Sequence, residues 1–129
     1  AGAAFIVTPA LRPDVIKLCN RYSVPIFCGA FTPTEIVNAW EMGADAAKVF
    51  PAEFFGPAYI KSIKGPLPQI ELVPTGGVNA ENVGDFLKAG AMATAAGSSL
   101  VEAKAFKEKN WPAITAKARA FVAAVAACK

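Results

Sequence analysis

The sequence predicts an α/β fold built on a parallel sheet, and three observations lead there. Short β-rich runs alternate about five times with segments of helical spacing, the pattern of strands joined by right-handed helical crossovers. The run Asp45-Ala46-Ala47-Lys48-Val49-Phe50 is almost wholly apolar and is bounded by Gly43 and Pro51, as a strand buried in such a sheet is. Hydrophobic residues make up 54% of the chain, much of them alanine, which suits helices packed closely on a buried sheet. At 129 residues the chain has the length of one ordinary domain, so a single α/β domain over residues 1–129 is expected.

Residues 3–8 form a β-rich run ended by Pro9, and residues 13–22 place Val15, Ile16, Leu18 and Cys19 at helical spacing behind Pro13. A second strand over 24–28 stops at Gly29. Thr32-Pro33-Thr34-Glu35 then opens a helix through Met42, with Thr32 as N-cap, Glu35 completing a capping box and Pro33 at the first helical position. The third strand is 46–50, followed by a short helix over 57–63. The fourth is 70–74, followed by a helix over 81–89 with Asn79 as its cap and Gly90 as its stop. Residues 92–96 make a fifth strand of small side chains. Asn110 ahead of Trp111-Pro112 starts the last helix, whose Ile114, Ala118, Phe121, Val122 and Val125 form one apolar stripe to the end of the chain. That stripe reads as core-covering, because the polar face lacks the dense lysine and arginine of a membrane-surface helix.

Composition excludes several chemistries. There is no histidine, which removes Ser-His-Asp and Cys-His sites, histidine metal sites and histidine bases together. The three cysteines, Cys19, Cys28 and Cys128, show no CxxC spacing and read as thiols of a reducing compartment. Net charge is +3, but the basic residues are scattered, so no nucleic-acid partner is expected. The chain opens Ala1-Gly2-Ala3-Ala4-Phe5 without a charged leader, and Lys117 and Arg119 interrupt its C-terminal apolar stretch. No membrane partner is therefore expected, and a cytoplasmic location is the default.

An open doubly wound sheet and part of a (β/α)8 barrel both fit this pattern, and both gather chemistry at the C-terminal ends of the strands. The residues there are Thr8-Pro9-Ala10, Cys28-Gly29, Lys48-Val49-Phe50-Pro51, Pro74-Thr75-Gly76-Gly77 and Ala96-Gly97-Ser98-Ser99. Lys48 is a single cation in an apolar strand. A buried ammonium is costly, so such a lysine either finds a partner or gives up part of its charge, and a neutral amine attacks carbonyl carbon. Snorkelling to solvent, or pairing with Glu53 or Asp45, is the other reading of Lys48. Thr75-Gly76-Gly77 and Gly97-Ser98-Ser99, each ahead of a helix, offer backbone N–H groups and hydroxyls to a phosphate with a helix dipole behind. The glycines also serve as plain turn residues.

In order and spacing, Lys48-Val49-Phe50-Pro51-Ala52-Glu53, Pro74-Thr75-Gly76-Gly77-Val78 and Ala96-Gly97-Ser98-Ser99-Leu100-Val101 resemble the 2-keto-3-deoxy-6-phosphogluconate (KDPG) aldolases, which also act as 4-hydroxy-2-oxoglutarate (KHG) aldolases. The likeness covers essentially the whole chain, from Gly2-Ala3-Ala4-Phe5-Ile6-Val7-Thr8-Pro9 onward. It implies a (β/α)8 TIM-barrel fold, of which about five βα units are present here: a partial barrel, an open parallel sheet or a barrel closed by self-association. It also implies a class I aldolase in which Lys48 is catalytic and forms a Schiff base with a 2-keto acid. No cofactor and no metal are called for, since the iminium is the electron sink. Gly76, Gly77 and Ser98 are implied to hold the substrate's phosphate, Thr75 and Phe50 to line the site, and Pro9 to pack near the pyruvyl end. The implied partners are a small phosphorylated keto acid and further copies of the chain, since the family is commonly trimeric. About three βα units of the family pattern have no counterpart, and the resemblance places there the glutamate acid/base and the arginine and threonine that hold the carboxylate end. Glu53 and Glu71 do not replace that glutamate by motif. Two rivals stand beside the aldolase: a non-catalytic partial-barrel assembly or phosphate-binding protein, and a phosphosugar isomerase without imine chemistry.

Overall fold

The computed structural model describes residues 2–128. In chain order the elements are β1 (Ile6–Val7), α1 (Pro13–Arg21), β2 (Ile26–Ala30), α2 (Pro33–Glu41), β3 (Ala46–Val49), a 3-10 turn (Ala52–Phe54), α3 (Gly56–Lys64), β4 (Leu72–Pro74), α4 (Val83–Lys88), α5 (Ala103–Lys107) and α6 (Trp111–Ala126). The strands form one sheet in the order β1-β2-β3-β4, every pair parallel.

Consecutive order with parallel pairing puts successive crossovers of one hand on one face of the sheet. The core agrees. Ala30, Ala47, Val49 and Leu72 are buried with Ile36 of α2, Ile60 and Ile63 of α3 and Val83 and Phe86 of α4. Ile26 and Cys28 are buried with Ile16 and Cys19 of α1 and Ala39 of α2. Helices on one face and sequential strands are the winding of a barrel segment, so the open sheet with helices on both faces is not the arrangement adopted. On the opposite face stand Val7, Phe27, Gly29, Lys48 and Val73, joined across the strands by register: Val7 pairs with Phe27, Gly29 with Lys48 and Lys48 with Val73. Phe5 and Val7 at the β1 edge are about half exposed.

Several boundaries move for local reasons. The second strand starts at Ile26 because Pro25 has no N–H to give and the Val24 N–H returns to the Cys19 carbonyl. The fourth starts at Leu72 because Ile70 closes a turn onto Leu67 and its carbonyl takes the Lys64 ammonium. The capping box at α2 is as expected: Thr32 Oγ1 accepts from the Glu35 N–H, and the Glu35 carboxylate accepts from Thr32 and Phe31 N–H groups. The α4 helix begins at Val83, because Asn79 spends its side chain on the Glu81 and Asn82 N–H groups of a preceding turn. The expected fifth strand over 92–96 is reduced to a single bridge, Thr75 to Ala95, with Met92 and Ala95 donating to Leu72 and Pro74 carbonyls. Its run of small side chains gives the pleat little to pack, and Met92 is largely exposed. Along α6, Phe121, Ala124 and Val125 lie on the core, but Val122 faces solvent at 70% exposure and leaves the predicted stripe. Among the described residues no helix is long and apolar enough to cross a membrane.

Candidate active site at the strand ends

Lys48 stands one residue before the end of β3 and is half-buried. Its flanking residues Ala47 and Val49 are packed into the core at 1% and 0% exposure, so alternation drives the Lys48 side chain to the other face of the sheet. Two residues on, Phe50 emerges on that same face, and the Lys48 Nζ lies 4.8 Å from its ring centroid, within cation–π range. Neither expected ionic partner is there. Asp45 sits at the opposite end of the strand, where its Oδ2 accepts from the Ile26 N–H at 2.7 Å. Glu53 is turned against Gly77. The ion pairs of the described residues are Arg12 with Asp14, Lys64 with Glu71 and Lys117 with Glu102, and Lys48 is in none of them. Glu71 precedes the first residue of β4, away from the C-terminal strand ends.

Thr75 continues β4 and shares the Lys48 face, since Lys48 pairs with Val73. It is held on both sides: its N–H donates to the Val49 carbonyl at 2.9 Å and its carbonyl accepts from Ala52 at 2.8 Å. The chain then enters Gly76 and Gly77, whose φ values of +93° and +70° belong to the left-handed region that glycine tolerates without a Cβ penalty. At Gly77 space demands glycine as well, since a Cβ there would lie 2.5 Å from Glu53 Cβ, whereas one on Gly76 would meet the Phe50 ring at an ordinary contact distance of 3.5 Å. Lys48, Phe50, Gly76, Gly77 and Glu53 therefore form one continuous patch.

The second glycine-serine loop is tied to the first. Ser99 Oγ donates to the Val78 carbonyl at 2.5 Å, and Leu100 and Val101 N–H groups fold back on the Gly97 carbonyl. Ser98 is left exposed at the tip of this turn. The N–H groups of Gly76, Gly77, Val78, Gly97, Ser98 and Ser99 meet no acceptor among the described residues, so two facing loops present free donors. The helix dipoles expected behind them are not in place. A turn separates Gly77 from α4, and another separates Ser99 from the five-residue α5. Donor N–H groups and hydroxyls, not a helix terminus, are what these loops offer an anion.

Pro9 follows β1 and lies exposed. It lines a recess of about 130 Å³ with Ala10, Leu11, Gly29, Ala30, Phe31, Glu35 and Phe50, so two of the predicted site residues meet there. Larger cavities of about 330 to 380 Å³ lie under α6, between α2 and the end of α3, and beside α1; none contains a predicted site residue. The rim of the small recess is stiffened by groups that sequence patterning did not single out. Tyr59 OH donates to the Phe31 carbonyl, and Phe31, Phe55 and Tyr59 pack ring to ring at 5.5 to 5.7 Å. Burial, and then the Glu35 charge, push the Tyr59 phenol up, which keeps it a donor. The two backbone N–H bonds from Thr32 and Phe31 hold the Glu35 carboxyl below its ordinary value.

The family model described as KDPG and KHG aldolase matches residues 1–117. The 2-dehydro-3-deoxy-phosphogluconate aldolase of Haemophilus influenzae is 41% identical over 115 residues, covering 88% of this chain and 54% of that protein. The 2-dehydro-3-deoxy-6-phosphogalactonate aldolase of Escherichia coli is 37% identical over 125 residues, covering 96% and 61%. Of solved structures, the native KDPGal structure superposes with a TM-score of 0.89 at 36% identity, covering 98% of this chain and 60% of that one. The KDPG aldolase of Legionella pneumophila, with pyruvate captured at low pH as a covalent carbinolamine intermediate, superposes with a TM-score of 0.82 at 28% identity, covering 94% and 58%. The chain thus spans between half and two thirds of the length of these relatives.

Proposed function

The chain belongs to the KDPG and KHG aldolase family, and from that premise we propose that it carries the imine-forming half of a class I aldolase acting on 2-keto-3-deoxy-6-phosphogluconate. The observation that carries the reading is Lys48: an ammonium without an ion pair among the described residues, over the Phe50 ring, on the face that also bears Thr75. The Legionella relative's capture of pyruvate as a covalent carbinolamine intermediate supports amine chemistry on a keto acid.

In the proposed reaction the Lys48 Nζ, as free amine, adds to the C2 carbonyl of the keto acid and gives a carbinolamine. Loss of water leaves an iminium. The C3–C4 bonding electrons flow into that iminium as a base removes the C4 hydroxyl proton, releasing glyceraldehyde 3-phosphate and leaving an enamine. Protonation at C3 and hydrolysis return pyruvate and the lysine. Gly76, Gly77 and Ser98 bind the phosphate through free N–H groups and a hydroxyl, Phe50 and Thr75 line the reacting centre, and Pro9 bounds the pyruvyl end. 4-Hydroxy-2-oxoglutarate and the phosphogalactonate named for the Escherichia coli relative are the neighbouring substrates by the same chemistry.

The proton transfers are the demanding part. Asp45 and Glu35 are engaged with backbone N–H groups, and Glu53 lies against Gly77. Neither Asp45 nor Glu35 is a free base, Glu53 makes no ion pair with Lys48, and carbinolamine formation and cleavage without a positioned base lose a factor of about a hundred or more. The proposal thus couples a retained imine-forming lysine to slow carbinolamine formation and slow cleavage in this chain, acting on a small phosphorylated keto acid in the cytoplasm as an assembly of several copies.

Pyruvate release from KDPG, followed with an NADH-linked coupling enzyme, tests it. Slow release that disappears in Lys48→Ala is expected. Release unaffected by Lys48→Ala refutes imine catalysis and favours a phosphate-binding barrel of another chemistry.

A further inference from the structure

Thr8 is the buried polar side chain of the described residues, at 7% exposure, and its hydroxyl sits where the β1 chain leaves the sheet. The β1-β2 ladder runs regularly through the Thr8 N–H, which donates to the Phe27 carbonyl at 3.1 Å. In a regular continuation the Gly29 N–H would next bond the Thr8 main-chain carbonyl. Instead it donates to Thr8 Oγ1 at 3.1 Å, and the hydroxyl donates onward to the Ala10 carbonyl at 2.9 Å. Cys28 Sγ lies 3.4 Å from the same oxygen, a weaker competitor for its proton. One side chain therefore replaces a ladder bond and draws the next two residues over the sheet.

Where they are drawn matters for Lys48. Gly29 is the register partner of Lys48 and faces the same side. A Cβ at Gly29 would lie 2.2 Å from the Pro9 carbonyl carbon and 2.3 Å from the Ala10 nitrogen. The Pro9–Ala10 peptide thus rests directly on Gly29, one strand from the amine, and forms a wall of the 130 Å³ recess that Phe50 also lines.

We propose that Thr8 is a positioning residue for imine formation: its hydroxyl fixes the depth of the Pro9–Ala10 peptide beside Lys48, and so the seat of the keto acid that the amine attacks. This rests on the aldolase reading above. The test is borohydride trapping of pyruvate as a function of pyruvate concentration, in the unaltered chain, Thr8→Val and Thr8→Ser, with Tm measured in parallel. Thr8→Val keeps the shape and loses the hydroxyl; the half-saturating pyruvate concentration should rise about tenfold, with a smaller change in the trapping rate at saturation. Thr8→Ser should stay within about twofold of the unaltered chain, since the hydroxyl is what acts. If Thr8→Val does not fold, Thr8→Cys, a weaker hydrogen-bonding group of similar reach, takes its place with the same expected direction. A folded variant with lowered Tm and an unchanged half-saturating concentration overturns the proposal, as does a Thr8→Ser that behaves like Thr8→Val. Absence of adduct in the unaltered chain overturns the aldolase reading, and the inference with it.

Discussion

Replacing Gly29 by alanine adds one methyl group where the backbone leaves it no space. The new Cβ would stand 2.2 Å from the Pro9 carbonyl carbon, 2.3 Å from the Ala10 nitrogen and 2.5 Å from the Pro9 oxygen. Non-bonded carbon contacts settle near 3.5 Å, so strand and loop must part by roughly an ångström. Neither obstacle is a flexible side-chain tip. Overpacking of this kind costs typically about 1–3 kcal/mol, and its opening also strains the Gly29 N–H bond to Thr8. For a chain of this length the expected fall in Tm is roughly 5–10 °C. Displacing Pro9 from beside Lys48 should in addition raise the pyruvate concentration needed for half-maximal trapping by about tenfold or more. Thermal unfolding by circular dichroism and the trapping titration read the two effects separately. Gly65→Ala is the matched control: its Cβ meets only the Ser62 carbonyl oxygen, at 3.4 Å, with ordinary helical φ of −55°. A Gly29→Ala chain with the Tm and half-saturation of the Gly65→Ala control would refute the reasoning.

Gly77→Ala combines a left-handed φ of +70° with a Cβ 2.5 Å from that of Glu53. It should lose about 1–2 kcal/mol of stability from the backbone alone and weaken the inhibition of KDPG cleavage by inorganic phosphate, measured by thermal scans and inhibition titration. Glu35 provides a pH test. Its carboxyl is held below the ordinary value by the Thr32 and Phe31 N–H groups, so its charged form contributes stability above the ordinary glutamate range, and that contribution is lost as pH falls through the depressed folded value. The stability advantage over Glu35→Gln, which retains the cap geometry, should be present at neutral pH, amount to under about 1 kcal/mol, and vanish in acid.

Much of the candidate site's placement is legible because strand ends announce themselves locally. Pro9, Gly29, Pro51 and the Gly76-Gly77 pair mark where apolar runs stop, and the one lysine inside such a run needs no distant partner to be noticed. The capping box of Thr32 and Glu35 was readable for the same reason, being four residues long. What depends on distant contacts was hidden. Thr8 looks like an ordinary strand residue until Gly29 and Cys28, some twenty positions on, close around its hydroxyl. The fifth strand is reduced to a bridge because its small side chains give a pleat little to pack, leaving the Met92 and Ala95 N–H bonds to join it to β4. The helix dipoles expected behind the Gly76-Gly77 and Gly97-Ser98-Ser99 loops were displaced by turns that Asn79 and Gly97 organise, and glycine alone does not foretell the length of a turn. Val122 fits the apolar spacing of α6, yet at 70% exposure it shows that spacing sets a stripe without setting its width.

Lys48 is the centre of the account, and the most direct measurement is the mass of the chain after incubation with pyruvate and borohydride, followed by peptide mapping of the modified residue. Hydride reduction of the iminium leaves pyruvate's three carbons on the amine as a stable secondary amine. The account predicts a single adduct, placed on Lys48 and absent from Lys48→Ala. No adduct in the unaltered chain, or one that survives Lys48→Ala, would contradict it.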